Sequence, residues 1–222
     1  MNEFFITATD TDAGKTYVAR ALVTALVNQG KQVAVYKPVS AGCELIDGEL
    51  VNEDASLLQA SANCRQSISQ INPIAFAEPI APHIAAEQLA QQITLPEIMA
   101  GYEQVKKVNA DVVITEGAGG WRLPLGQGHY LSEFAKQAGH KVILVVNMKL
   151  GCLNHAMLTY EAIIADGLEC IGWVANCQQD MPYLEENIAH LRQLLPAAFI
   201  ARLEYCRDID KAAASIDTSA LV

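Results

Sequence analysis

Residues 3–16 read EFFITATDTDAGKT, and residues 17–27 continue YVARALVTALV. Glu3 to Thr7 is a short apolar, aromatic and β-branched run, whereas Thr16 to Val27 places Val18, Leu22, Ala25 and Leu26 at helical spacing. The stretch therefore predicts strand, loop, helix. Gly14-Lys15-Thr16 closes the loop at the helix start, where backbone N–H groups and a lysine ammonium converge on phosphate. Gly14 permits close backbone approach, Lys15 neutralises outer phosphates, and Thr16 offers a hydroxyl to Mg²⁺. The strict GxxxxGK[ST] spacing is not met, because Thr9 stands five before Gly14 and Ala8 lies one further back.

Working outward, Gln32 to Tyr36 (QVAVY) is a second buried-strand candidate, which gives the opening third a βαβ rhythm and parallel pairing. Asp111 to Thr115, Val142 to Asn147 and Cys170 to Ala175 are further apolar strands, each following a helix-like segment. This alternation predicts an α/β fold: a doubly wound, mainly parallel sheet with helices on both faces, of the P-loop NTPase type, in a single domain over 1–222. Ligands of such sheets bind beyond the C-terminal strand ends. Pro38 to Asp54 is irregular and a functional-loop candidate, with a helix expected near Asp54 and Asp54 as its N-cap or as a metal-directed carboxylate. Asn72 to His83 carries three prolines and predicts an extended loop, Glu87 to Gln92 a polar helix face, and Leu95 to Asn109 a helix.

Glu116 follows the third strand, as an acid that holds Mg²⁺ or its bound water beside phosphates must, and Gly117, Gly119 and Gly120 suggest backbone approaching a ligand. Lys37 and Lys149 also follow strands. With Lys15 they suit a transition state in which negative charge spreads over a transferring phosphoryl group. Asn176 follows the last apolar run, where an amide can read a base edge or form a turn. The histidines show no metal-ligand spacing and the six cysteines no CxxC pair, so a zinc site or disulfide framework is not expected.

A net charge of −10 without any Lys/Arg-rich run argues against nucleic acid or an anionic membrane as partner. The apolar runs are too short to span a bilayer, and the N-terminus lacks a secretory pattern, so a cytoplasmic location is expected.

Taken together, TDTDAGKT (9–16), YKPV (36–39), NED (52–54), EPIAPH (78–83), EGAGGW (116–121), KLGCLNHA (149–156) and GWVAN (172–176) resemble dethiobiotin synthase, in matching order from about residue 4 to residue 176. The resemblance implies a homodimer that uses ATP and Mg²⁺ to insert CO₂ between the two amines of 7,8-diaminopelargonic acid. A carbamate forms, the γ-phosphate phosphorylates it, and the second amine closes the ureido ring. It also implies roles. Asp12, Ala13, Gly14, Lys15, Thr16 and Tyr17 would cradle the triphosphate, with Gly117, Ala118 and Gly119 beside it and Asn176 and Cys177 at adenine. Thr16, Asp54 and Glu116 would hold Mg²⁺, while Lys37, Lys15 and Thr11 would act on the reacting groups. Thr11, Lys37, Ser40 and Ala41 would bind substrate, and Gly151, Cys152, Leu153 and Asn154 would take its carboxylate from the partner subunit.

The chain departs from the family pattern in places. Ala8 replaces Gly, Asp12 replaces Glu, Ala41 stands where serine is usual with Ser40 beside it, and Arg202 to Cys206 replaces a proline-containing base loop. Two other functions compete with this reading. A partition-type ATPase switch would carry a lysine where Asp10 stands, and an amidase-type ligase would need a fused glutamine-hydrolysing domain for which the chain is too short.

Overall fold

The computed structural model describes residues 1–219 and residue 221. Strand β1 (Asn2–Ala8) leads through the glycine loop into helix α1 (Lys15–Asn28), followed by β2 (Val33–Tyr36). The stretch expected to be irregular instead contains β3 (Val39–Ser40) and a hairpin of β4 (Glu44–Ile46) and β5 (Glu49–Val51) before α2 (Glu53–Ser61). Its turn, Asp47-Gly48, has positive φ at both residues, as a two-residue hairpin requires. The helix begins one residue before Asp54, because Asn52 is the N-cap and its side chain accepts the Ala55 N–H.

Helix α3 (Ile68–Ile71) and strand β6 (Ile74–Ala75) precede α4 (Pro82–Gln88). The proline-rich run is thus extended only until its last proline, which starts a helix at the position where a missing N–H costs nothing. His83 lies inside that helix, and Glu87 to Gln92 is not a helix face: the helix ends at Gln88, and Ala90 adopts φ 54°.

Helix α5 (Leu95–Lys106) and β7 (Val112–Glu116) follow, then a small hairpin, β8 (Pro124–Gly126) with β9 (His129–Tyr130), and α6 (Leu131–Ala138). The chain continues through β10 (Lys141–Asn147), α7 (Cys152–Ala165), β11 (Cys170–Cys177), α8 (Leu184–Leu194), β12 (Ala198–Glu204) and α9 (Ile209–Ala214). Asn176 is inside β11 and not beyond it. Strand β12 was not foreseen, and it places Arg202 to Glu204 in the sheet.

The main sheet runs β12-β11-β10-β1-β7-β2, with every neighbouring pair parallel. Strand β1 alternates its side chains between two cores. Phe4, Ile6 and Ala8 pack with Val18, Leu22 and Leu26 of α1 and Leu58 of α2, while Phe5 joins Tyr102 of α5, Phe134 of α6 and Leu191 of α8. Helices therefore cover both faces. Strand β1 is also where the connections diverge, with β7 on one side and β10 on the other, so its C-terminal end is the switch point at which such sheets bind ligands. Described residues after β12 pack against α1 and its C-terminal end: Ala212 and Leu221 are buried, and Gln29 bonds Thr218 at 2.6 Å.

His140 lies inside the second core against Phe5, Tyr102 and Phe134, with Nε2 3.2 Å from the Thr115 hydroxyl. Burial pushes its pKa down to about 4 from an ordinary 6.5. The unfolded chain therefore binds the extra proton first. The stabilising effect is complete above pH 6.5 and is lost as pH falls toward 4, a change of about 3 kcal/mol for one such group. Replacing His140 with Phe is expected to flatten the dependence of the urea midpoint between pH 6.5 and 4; an unchanged slope in the variant would assign it to other groups.

Candidate active site

The loop after β1 is shaped by one glycine. Gly14 sits at φ 81° as the residue before α1, and that helix has no side-chain cap, so its first N–H groups are left for a ligand. A Cβ on Gly14 would stand 2.0 Å from Asn176 Nδ2 and 2.4 Å from Gln178 Nε2, so a side chain is excluded by contact as well as by φ. The loop is held from several sides. Asp10 accepts the Thr11 N–H at 2.8 Å and pairs with Lys149 at 3.1 Å, while its carbonyl lies 3.4 Å from Lys15 Nζ. Asn176 Nδ2 donates to the Ala13 carbonyl at 2.7 Å, and the Thr9 hydroxyl accepts the Asn147 N–H at 3.2 Å.

Glu116 ends β7, and Lys37 directly follows the adjacent β2. They are 1% and 3% exposed, and Lys37 Nζ lies 2.8 Å from Glu116 Oε1 and 3.0 Å from Asp54 Oδ2. Thr16 donates to the same Glu116 Oε1 at 2.8 Å. Burial opposes the charge on Lys37, but Glu116 and Asp54 outweigh it and hold its pKa above the ordinary lysine value. For Asp54, burial pushes up and Lys37 pulls down more strongly, so its carboxyl titrates below the usual range. Lys15 has no such partner at contact distance. Burial lowers its pKa, opposed by Glu116 and reinforced by Lys37.

Glu116 Oε2 is buried without a hydrogen-bond partner. An orphan carboxylate oxygen beside the Thr16 hydroxyl and the half-exposed Asp54 is a donor set suited to Mg²⁺. Among the described residues, no three His, Cys, Asp or Glu side chains gather into a cage. A divalent ion here would be completed by phosphate and water oxygens, as is usual for Mg²⁺.

These groups open into a cavity of about 810 Å³. Thr11, Asp12, Gly14, Lys15, Thr16, Lys37, Asp54 and Glu116 form its polar side, and Ser40, Ala41, Ala118 and Gly119 also line it. The rest of the lining is largely apolar, built from Pro79, Ile80, Ala81, Pro82 and Leu123. That apolar lining was not recognised from sequence: the prolines marked an extended run, but nothing in their spacing says which way it folds. Asn52 and Gln178, also in the lining, were likewise missed. A second cavity of about 440 Å³ shares Thr11, Gly119 and Leu123 with the first and extends past Trp121 to Leu158, Thr159 and Ala162 of α7.

Other expected residues lie off the lining. Ala13 and Cys177 are buried, and Tyr17 is turned away, its hydroxyl donating to the Glu204 carbonyl at 2.8 Å. Gly117 is explained by packing, since a Cβ there would stand 2.9 Å from the Phe5 ring. Lys149 is engaged by Asp10, and Gly151, Cys152, Leu153 and Asn154 start α7, none of them lining either cavity.

An AAA domain family model matches residues 2–213. Among solved structures, the septum site-determining protein MinD complexed with Mg-ADP from Pyrococcus horikoshii OT3 superposes with a TM-score of 0.57 at 16% identity, covering 96% of this chain and 84% of that one. The MinC:MinD complex of Aquifex aeolicus gives 0.57 at 14% identity, covering 96% and 86%. At such identities the likeness establishes the P-loop NTPase fold alone. Sequence relatives are much nearer. ATP-dependent dethiobiotin synthetase BioD of Aeromonas salmonicida is 48% identical, over 92% of this chain and 91% of its own. Its counterparts in Alteromonas mediterranea and Cellvibrio japonicus are 46% and 45% identical, covering 95% and 99% of this chain and 95% and 97% of theirs. With this level of identity along nearly the whole of each sequence, the chain belongs to the ATP-dependent dethiobiotin synthetase family.

Proposed function

We propose that this chain closes the ureido ring of dethiobiotin from 7,8-diaminopelargonic acid, CO₂ and ATP, acting in the cytoplasm as a single catalytic domain. The observation that carries the reading is the buried Lys37, held by Glu116 and Asp54 in a cavity that is also lined by apolar residues. Polar groups of that kind suit phosphates and a carbamate, and an apolar lining suits an aliphatic chain.

One amine attacks CO₂, forming the N–C bond of a carbamate and releasing a proton. A carbamate oxygen then attacks the γ-phosphorus, and ADP departs as the bond to its bridging oxygen breaks. Attack of the second amine on the carbamate carbon expels phosphate, loses a proton and closes the ring. The protein's part is positioning and charge. The first turn of α1 binds phosphate through its unpaired N–H groups, and Lys15, kept less basic by burial, places its ammonium at the outer phosphates. Lys37 stays protonated through its two carboxylate partners and offers a fixed cation to carbamate and transferring phosphoryl. Thr16, Asp54 and Glu116 would hold Mg²⁺, which when bound neutralises charge on the β- and γ-phosphates. Thr11 lines both cavities and is suited to touch the substrate at their junction. Asn176 keeps its amide on Ala13, and its buried oxygen, without a partner, is the acceptor left for a base N–H.

The second cavity supports a homodimer. The groove leaves the reactive centre and ends on α7, where Leu158 is 58% exposed, and Leu150, just before the helix, is 94% exposed. Gly151 to Asn154, which do not line the cavities of their own chain, are then available to a carboxylate held by the neighbouring subunit, at the uncapped start of a 14-residue helix.

Three outcomes are expected. Mass spectrometry should find dethiobiotin, with matching phosphate release, only when MgATP, bicarbonate and the diamine are all present; ATP hydrolysis indifferent to the diamine would favour a nucleotide switch. Lys37→Ala should lower kcat/KM by about 3–4 kcal/mol of transition-state binding, and a kinetic loss under about threefold would remove Lys37 from its assigned role. Leu158→Glu should shift the sedimentation coefficient from dimer to monomer and raise KM for the diamine far more than KM for ATP. A dimer unaffected by this change would place the interface elsewhere.

A further inference from the structure

Lys37 is held through its side chain by carboxylates, but its backbone is held by a residue that none of the chemistry above uses. Asn72, 3% exposed, donates from Nδ2 to the Lys37 carbonyl at 2.7 Å and to the Ile74 carbonyl at 3.4 Å. Its oxygen accepts from the Ser40 hydroxyl at 2.7 Å. The carboxamide thus ties together the chain just after β2, the β3 residue that lines the cavity, and β6 beside it.

The donor and acceptor count has a consequence for Ser40. A hydroxyl carries one proton and two acceptor lone pairs. The proton is committed to Asn72 Oδ1, so the contact at 3.2 Å with Cys43 Sγ has the thiol donating. Ser40 therefore meets a ligand in the cavity only as an acceptor. At the phosphate loop ATP presents phosphate oxygens that need donors, whereas the diamine and its carbamate carry N–H bonds that need an acceptor.

We infer that Asn72 is a positioning residue of the ligase reaction: it fixes the Lys37 main chain and orients the Ser40 hydroxyl to receive an N–H of the diamine. This rests on the ring-closing function proposed above and adds the device that aligns the nucleophile. The position of Ser40, one residue before the place where the family usually has serine, is made usable by this bond.

The test is steady-state kinetics of Asn72→Ala, Asn72→Asp, Ser40→Ala and the Asn72→Ala/Ser40→Ala double variant, with thermal midpoints in parallel. Asn72→Ala should lower kcat about tenfold or more while KM for MgATP stays within about twofold, because Asn72 makes no hydrogen bond to the phosphate loop. Ser40→Ala alone should raise KM for the diamine about fivefold or more, and in the Asn72→Ala background should add less than about twofold. Asn72→Asp is isosteric, keeps the acceptor for Ser40 and loses the donors to the main chain. It should therefore lower kcat while leaving KM for the diamine within about twofold, a split that a merely destabilised protein would not produce, and it carries the test if the alanine variant does not fold. A kcat within threefold of wild type in the aspartate variant, or additive Asn72 and Ser40 effects, overturns the inference alone. A wild-type protein that makes no dethiobiotin overturns the parent reading and this one together.

Discussion

The architecture of the site depends on burying the Glu116 carboxylate. At 1% exposure an unpaired carboxylate would be very costly, and removing one partner of a buried pair typically costs about 3–5 kcal/mol. The sheet supplies the partner by adjacency: β2 and β7 are neighbours in register, so Lys37 emerges beside Glu116. Strand β1 on the other side of β7 supplies the phosphate loop, and Thr16 reaches the same carboxylate oxygen. Parallel strands deliver all three groups to one edge, which an antiparallel order would not do.

Much of this was readable beforehand. The apolar runs at residues 3–7, 32–36, 111–115, 142–147 and 170–175 all became strands of the main sheet, because fully buried parallel strands are continuous in hydrophobicity. Lys37 and Glu116 were legible for the same reason, standing where such runs end. Strand β12 was not: Ala198 to Glu204 carries Arg202 in its second half, and an edge strand with a charged, half-covered side chain lacks the continuous apolar signal.

The misread residues fail for physical reasons that local sequence does not hold. Asp54 and Asn52 are both good N-caps, and the choice between them is made by Lys37, which recruits the Asp54 carboxylate from across the fold. The glycines at 117 and 119 looked alike. Gly117 makes room for the Phe5 ring, while Gly119 turns the chain at φ 58° into the cavity lining, and nothing in the string GAGG separates the two. The apolar wall at Pro79 to Pro82 depends on where an extended segment comes to rest, which is set by long-range pairing of β6 with β3.

That pairing also explains how Lys37 can be held rigidly while lining the cavity. Lys37 gains rigidity from two carboxylates on one side and from Asn72 on its main chain, so its ammonium is fixed in place, as the role proposed for it requires. A lysine on an exposed loop, such as Lys149 with 40% of its side chain in solvent, would spend binding energy on immobilising its own stem. The short two-stranded unit of β3 and β6 therefore has a role beyond its size: by holding Ser40 and Ile74 on either side of Asn72, it fixes the segment after β2.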